Sequence, residues 1–287
     1  MLSEPNPPPT KSMIRNFKLL DLLPELEPDE QLAVFERIIR SPRPQVRQRA
    51  LGLGAAILSE NRLLEYLREE DDVRRNAAVE MLKLRRRRSL ELACHLLDDE
   101  DPDIVLQAVM VLSHLRDRKA REPLVRVLEH QDPNVVQETI LALGRLGDTR
   151  ALPAILPFLK SSPWLQAAAI EALGRLGSAE VVPELERLLE DPMLAPLATD
   201  ALSKIGGVRA TKAVAQHWLK HGEEFEPAFT LRRLADMLER ITCPLPDVEA
   251  LTEALRESAN DHVKEVRLAA ARCLVALKGQ SRGLWMF

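Results

Sequence analysis

The sequence has few cysteines and no long apolar stretch. Its three cysteines, Cys94, Cys243 and Cys273, are odd in number and lie far apart, whereas a disulfide framework needs an even set at regular spacing. No stretch reaches the ~20 apolar residues of a membrane span, and the start, MLSEPNPPPTK, lacks the apolar region of a signal peptide. These absences predict a cytoplasmic protein with no membrane span.

Aromatic residues and an excess of positive charge are also missing. Aromatic residues make up only 3% of the chain, with a single tyrosine, and 40 basic residues face 44 acidic ones for a formal net charge of −4. Proteins that bind nucleic acid usually carry a basic surface, and those that handle an exposed base also stack aromatic side chains on it. The composition therefore argues against a nucleic-acid partner.

The known catalytic motifs are absent as well. The sequence contains no phosphate-binding loop, no glycine-rich dinucleotide turn and no G-x-S-x-G nucleophile elbow. His217 and His221 have the spacing at which one helix can offer two imidazoles to a metal, but Trp218 stands where the zinc-peptidase motif has glutamate. We therefore predict a non-enzymatic protein with no catalytic residue, no metal site and no cofactor.

What the sequence does contain is a repeat of about thirty residues. Asp101-Pro102, Asp132-Pro133, Ser162-Pro163 and Asp191-Pro192 recur at that interval, and each is followed by a similar ending such as LSHLRD or LGRLGD. Asp or Ser before Pro starts a helix, because the side chain caps free N–H groups and proline at the first position loses no needed donor. Such a period indicates stacked units that bury their apolar faces only against one another.

We predict an all-α protein, a right-handed α-solenoid of about eight antiparallel helix pairs. The second helix of each pair is predicted to start near Pro44, Asp72, Pro102, Pro133, Pro163, Pro192, Pro227 and Asp261. These helices align on L-x-x-L endings such as Met81/Leu84, Leu112/Leu115 and Leu143/Leu146, with a small residue, usually alanine, four positions earlier. A column of small residues permits close approach of neighbouring helices.

The segment DPNVVQETILALGRLGDTRALPAILPFL, residues 132–159, closely resembles a HEAT-type repeat, particularly the short bacterial variety associated with phycobilisome lyases. The resemblance implies that the second helices form the concave, partner-binding face. We predict a disordered proline-rich tail at 1–11, a leading helix at 12–27, the repeat solenoid at 28–279, and a tail or the cut edge of a longer protein at 280–287.

A candidate partner-binding groove comes from helical-wheel arithmetic on the second helices. In the second to fourth repeats, apolar residues fall in positions that the wheel places opposite the alanine column. The predicted groove consists of Val79, Leu82, Val105, Leu106, Met110, Val136, Gln137 and Leu141. An apolar groove of this kind suits a peptide or an amphipathic partner helix. The alternative is that the rest of the chain covers these residues as ordinary core.

A basic edge is predicted along the turns between pairs. Cations favour helix C-termini, but the run KLRRRR exceeds that need, so a patch for an anionic partner is a second candidate site. It comprises Arg85, Arg86, Arg87, Arg88, Arg118, Lys119 and Arg121.

Together these features predict a protein-protein interaction scaffold or adaptor. Two alternatives stay open: a chromophore-lyase-like subunit that acts with a partner, and an anion-binding module that contacts nucleic acid or phospholipid through the basic edge. The sequence gives no indication of the oligomeric state.

Overall fold

The structure is a computed structural model that describes residues 11–22, 25–222, 226–243, 245–246 and 248–283. Within these ranges the chain forms α-helices and short 3₁₀ helices, and no strand. The predicted all-α class is therefore confirmed. The predicted tail lies almost entirely outside the described residues, and so does the end of the chain from residue 284.

The chain divides into two compact units, Met1–Ala120 and Arg121–Phe287. In the first unit a leading helix is followed by pairs of helices. Its helices are α1 (Lys11–Leu22), α2 (Pro28–Ile39), α3 (Pro44–Ile57), α4 (Glu60–Arg68), α5 (Asp72–Arg85), α6 (Leu90–His95) and α7 (Pro102–Leu115). The 3₁₀ turns Arg86–Ser89 and Leu96–Asp98 flank α6, and Arg118–Ala120 follows α7.

The second unit continues the alternation of first and second helices. Its helices are α8 (Arg121–Val127), α9 (Pro133–Leu146), α10 (Leu152–Ile155), α11 (Pro163–Leu176), α12 (Val182–Leu188), α13 (Ala195–Ile205), α14 (Gly207–His221), α15 (Pro227–Arg240), α16 (Val248–Ser258) and α17 (Lys264–Gly283). Short 3₁₀ turns flank α10 and precede α12.

The second helices start largely where the sequence predicts. Six of them begin at the predicted residue: α3, α5, α7, α9, α11 and α15. The carboxylates of Asp101 and Asp132 accept hydrogen bonds from backbone N–H groups two residues further on, as helix caps do. The predictions for α13 and α17 are wrong by about one turn, because Asp191 and Asp261 cap a preceding turn instead.

The column of small residues lies at the centre of both units. Ala50 and Ala108 in the first unit are at most 1% exposed, and so are Thr139, Ala169, Ala198 and Ala270 in the second. On α15 the same place is held by the larger Leu234, which is also buried. Two glycines bring second helices still closer together. A Cβ added at Gly144 or Gly174 would lie 2.7 Å from the Cα of Ala172 or Ala201 respectively. The stacking of α9, α11 and α13 therefore depends on residues without side chains.

Candidate functional site

Half of the predicted groove lies in the protein interior. Four of its eight residues are at most 5% exposed: Val79, Leu82, Val105 and Val136. Side chains this deeply buried offer almost no surface to a partner. For these four residues the prediction of an open groove is wrong, and the alternative of ordinary core holds.

Two errors of helical geometry explain this outcome. The residue that caps α5 is Arg86 and the residue that caps α7 is Arg116, so Leu82 corresponds to Leu112. The sequence alignment used Met81 instead, which rotates α5 by 100°. Val105 and Val136 stand seven residues before a core leucine, almost two full turns, so they share its buried face.

The other four residues reach solvent. Leu106 and Met110 lie on α7 of the first unit, and Gln137 and Leu141 lie on α9 of the second. Met110 is 39% exposed, and the other three are partly exposed. On α5, Leu84 is also exposed, at 52%. Sequence reasoning missed Leu84 because the shifted alignment assigned it to the core.

Arg85, the first residue of the predicted basic edge, has a structural role. Its Nε donates to the carbonyl oxygen of Ala55 at 2.8 Å, and its Nη2 donates to that of Leu58. The guanidinium thus satisfies carbonyl groups at the C-terminal end of α3, which have no partner within the helix. Burial lowers the pKa of Arg85 from its ordinary value. The prediction that Arg85 faces an anionic partner is wrong.

Arg121 is also engaged within the protein. Its Nη2 lies 2.7 Å from a carboxylate oxygen of Glu122, and its Nε lies 3.6 Å from a carboxylate oxygen of Asp148. Arg150 pairs with the same Asp148 at 2.6 Å, and its hydrogen bonds lower the pKa of that carboxyl to about 2. Arg121 therefore helps to hold a turn of the second unit together and is not a free cation of the edge.

Three of the remaining predicted cations, Arg86, Arg87 and Arg118, line a cleft in the first unit. Its volume is about 600 Å³, and the basic side chains that line it are Lys83, Arg86, Arg87, His114, Arg116 and Arg118. Leu90 and Leu115 provide an apolar part of the lining, and Asp117 is the one carboxylate among the lining residues. Arg88 and Lys119 are exposed but are not among the residues that line this cleft.

The structure thus joins two basic stretches that are about thirty residues apart in the sequence. Both the KLRRRR run and Arg118 were predicted as one patch, and the cleft brings Arg86, Arg87 and Arg118 together. Lys83, His114 and Arg116 were not predicted. The signal for Lys83 and Arg116 was present, since each belongs to one of the two basic stretches.

The backbone at two of these arginines is unusual. Arg116 has the left-handed helical conformation, with φ 51° and ψ 32°, whereas Arg86 has φ 53° with ψ −125°. A positive φ favours glycine in both cases. Both are the residue directly after a second helix. In the second unit the same place is held by Gly147 and Gly177, with φ angles of 73° and 69°. The first unit therefore has arginine where the fold prefers glycine.

The histidine pair lies on α14 in the second unit. The ring centroids of His217 and His221 are 5.4 Å apart, and burial together with the charge of His221 lowers the pKa of His217. Among the residues that the structure describes, no three His, Cys, Asp or Glu side chains are grouped so as to hold a metal ion. Nor does any helix in the described part of the chain have the length and apolarity to cross a bilayer.

Comparison with known proteins identifies the repeat. The family model of HEAT repeats matches residues 90–164 and 152–225. Residues 90–225 therefore consist of HEAT repeats, and the predicted resemblance is confirmed. A search of curated proteins finds no match to this sequence.

Solved structures show the same fold. An engineered protein is 20% identical, with a TM-score of 0.51 over 94% of this chain and 86% of that one. Kap95p, in a structure that describes its binding to RanGDP, is 16% identical with a TM-score of 0.58, over 93% of this chain but only 44% of its own. The CpcE–CpcF complex of phycocyanin lyase from Nostoc sp. PCC7120 is 19% identical over 96% of this chain and 98% of that one, with a lower TM-score of 0.41. The chain therefore has the α-solenoid fold of these structures.

Proposed function

We propose that the protein is a non-enzymatic scaffold that binds a partner protein through its second helices. The binding surface is the side of these helices that is not packed against neighbouring helices, here called the outer face. The observation that carries this proposal is the exposure of Leu84 and Met110 on α5 and α7. Both residues are large and apolar, and removing them from water yields roughly 25 cal/mol per Å² before the costs of association. In the second unit, Leu141 of α9 is also partly exposed.

The fold supports this proposal. HEAT repeats present long rows of helices whose outer positions are free of any role in the stack, so side chains there are available for recognition. Kap95p, which shares the fold, is described as binding RanGDP. The chromophore-lyase alternative rests on resemblance alone, since no geometric feature of the described residues favours it.

Site-specific cross-linking tests the proposal. A photo-cross-linkable amino acid is placed at Met110 and, in a second protein, at Leu141, with matched controls at the exposed first-helix residues Glu91 and Glu122. In extracts of the cells that make the protein, we expect the same partner to cross-link at the second-helix positions and not at the controls. Equal cross-linking at all four positions would refute the proposal.

A double substitution separates binding from folding. Met110→Glu with Leu141→Glu places charges on partly exposed sites, so the free energy of unfolding should change by no more than about 1 kcal/mol. Binding of the cross-linked partner should be lost. A loss of several kcal/mol in stability would show that these side chains belong to the core.

A further inference from the structure

We propose that the cleft between α5 and α7 binds a short acidic segment of the partner protein, through the carboxylate or phosphoryl groups of that segment. This inference rests on the proposed scaffold function and adds to it the chemistry of the partner. The cleft lies wholly within the first unit, and every residue that lines it belongs to the stretch from Lys83 to Arg118.

The charge of the cleft is the first argument. Five of its lining residues carry a permanent positive charge and one carries a negative charge. In the described part of the chain, Arg86, Arg87, Arg116 and Arg118 have no carboxylate within ion-pair distance. Several other arginines of the first unit are paired, as Arg74 is with Glu36 and Glu69. Unpaired arginines in a concave site attract anions, and the planar guanidinium matches a carboxylate or a phosphoryl group with two parallel hydrogen bonds.

The backbone provides a second, independent argument. A positive φ disfavours a residue with a side chain relative to glycine, and both Arg86 and Arg116 have one. The fold accepts glycine at this place, as Gly147 and Gly177 show. At the two turns that border the cleft the residue is arginine instead, and both arginines line the cleft. Conformational strain of this kind collects at binding sites, because the side chain contributes something that the unstrained residue would not.

The size and lining of the cleft indicate a protein segment as the ligand. Duplex nucleic acid is bound by cations spread over many phosphates, whereas these cations surround one cavity of about 600 Å³ in a chain of net charge −4. Leu90 and Leu115 give the cleft an apolar part, which suits a ligand with both acidic and apolar side chains. On the adjoining helices, the exposed Leu84 and Met110 extend this apolar character.

Peptide binding to the full chain tests the inference directly. The probes are fluorescent peptides of one length: one rich in glutamate, one with phosphoserine in place of the glutamates, and one with glutamine. We expect the glutamate or the phosphoserine peptide to bind at least about tenfold more tightly than the glutamine peptide, with an affinity that falls as salt is raised from about 50 to 200 mM. Whichever acidic peptide binds more tightly identifies the oxyanion.

Two outcomes would overturn the inference. One is equal binding of all three peptides. The other is tighter binding of a single-stranded oligonucleotide, or of vesicles that contain phosphatidylserine, than of either acidic peptide, since the ligand would then be nucleic acid or lipid.

The strained arginines provide an unusually clean variant. Arg86→Gly with Arg116→Gly removes two positive charges and also relieves the strain of the positive φ angles. Peptide affinity should fall at least about tenfold while the unfolding midpoint stays the same or rises. Arg37→Gln with Arg126→Gln, two exposed arginines outside the cleft, makes the same change in net charge and should leave binding unchanged.

Two further variants complete the test. The first replaces the glycine variant if that protein does not fold, and the second distinguishes the cleft proposal from the scaffold proposal. Arg87→Gln with Arg118→Gln changes exposed side chains in the cleft and should also weaken binding at least about tenfold; unchanged binding would overturn the inference. Met110→Glu changes the outer face but not the lining of the cleft. It should therefore leave the binding of acidic peptides unchanged. If the partner still cross-links at position 110 while acidic peptides do not bind, the inference fails and the scaffold function stands.

Discussion

The two units have different residues at two equivalent positions of their second helices. Next to a core leucine on each second helix, the second unit has Gly144 and Gly174, which bring adjacent helices into backbone contact. In the first unit the same place holds Lys83 and Ser113. Directly after the helix, the second unit has Gly147 and Gly177 where the first has Arg86 and Arg116. Glycine makes the second unit compact, and larger residues leave the first unit with a basic cleft.

This difference shows where the repeat is free to vary. The buried column of small residues is kept in both units, because every stack needs it. The turn between pairs faces solvent, so it can carry charge at a modest cost in backbone energy. Function in a repeat protein can therefore be sought at positions where one repeat departs from the residue that the fold prefers.

The largest expected effect concerns the close contact of the second unit. Gly174→Ala places a Cβ 2.7 Å from the Cα of Ala201, and we expect a loss of about 1–3 kcal/mol from overpacking, despite the better helix propensity of alanine. Thermal and denaturant unfolding would measure it.

Gly52→Ala in the first unit is the matched control for this change. Gly52 lies within α3, and an added Cβ would meet nothing within 4 Å. It should therefore stabilise the protein by up to about 1 kcal/mol. The same sign for both substitutions would show that the backbone contact at Gly174 does not limit the stack.

A smaller effect is expected from moving the arginine turn into the second unit. Gly147→Arg puts a side chain at a φ of 73° with open space around it, so the cost is the left-handed conformation alone, about 1–2 kcal/mol. Gly147→Asn should cost less, since asparagine tolerates this region better than arginine does. Denaturant midpoints for the two variants would check this order, and equal stability would remove the strain argument for Arg116, which has the same left-handed conformation.

Much of the fold could be predicted from the sequence because its signals are local. The Asp-Pro pairs define helix starts by capping and by proline geometry, and six second helices begin where these signals place them. The start of α13 could not be predicted in this way, because Asp191 caps a turn that the chain completes before the helix begins. The identity of a cap does not reveal how many residues separate it from the helix.

The candidate site could be predicted only in part, because it depends on register and tertiary contacts. One residue of misalignment in α5 exchanged buried Leu82 and exposed Leu84. The sequence shows the basic residues, but it does not show which of them bond within the protein and which line the cleft. Arg85 and Arg86 are neighbours, yet the first binds carbonyl groups of α3 and the second lines the cleft. That choice is made by the end of another helix about thirty residues away.

The smallest expected effect compares one carboxylate from each unit. Hydrogen bonds from Arg40 to Asp71 and from Arg150 to Asp148 lower the pKa of each carboxyl to about 2. An aspartate with a lowered pKa contributes stability above its unfolded-state pKa of about 3.9, and this contribution is lost as the pH falls towards 2. Both units should therefore lose stability between about pH 5 and pH 2.

Burial should distinguish the two carboxylates. The side chain of Asp148 is 6% exposed and that of Asp71 is 31% exposed, and salt screens a buried pair less than an exposed one. Asp148→Asn should therefore reduce the loss of unfolding free energy between about pH 5 and pH 2 by the same amount at about 0.1 and about 0.5 M salt. Asp71→Asn should reduce this loss less at the higher salt than at the lower. Denaturant midpoints measured across this pH range would show it. If both variants respond to salt alike, the exposure of the carboxylate does not govern how strongly salt screens these ion pairs.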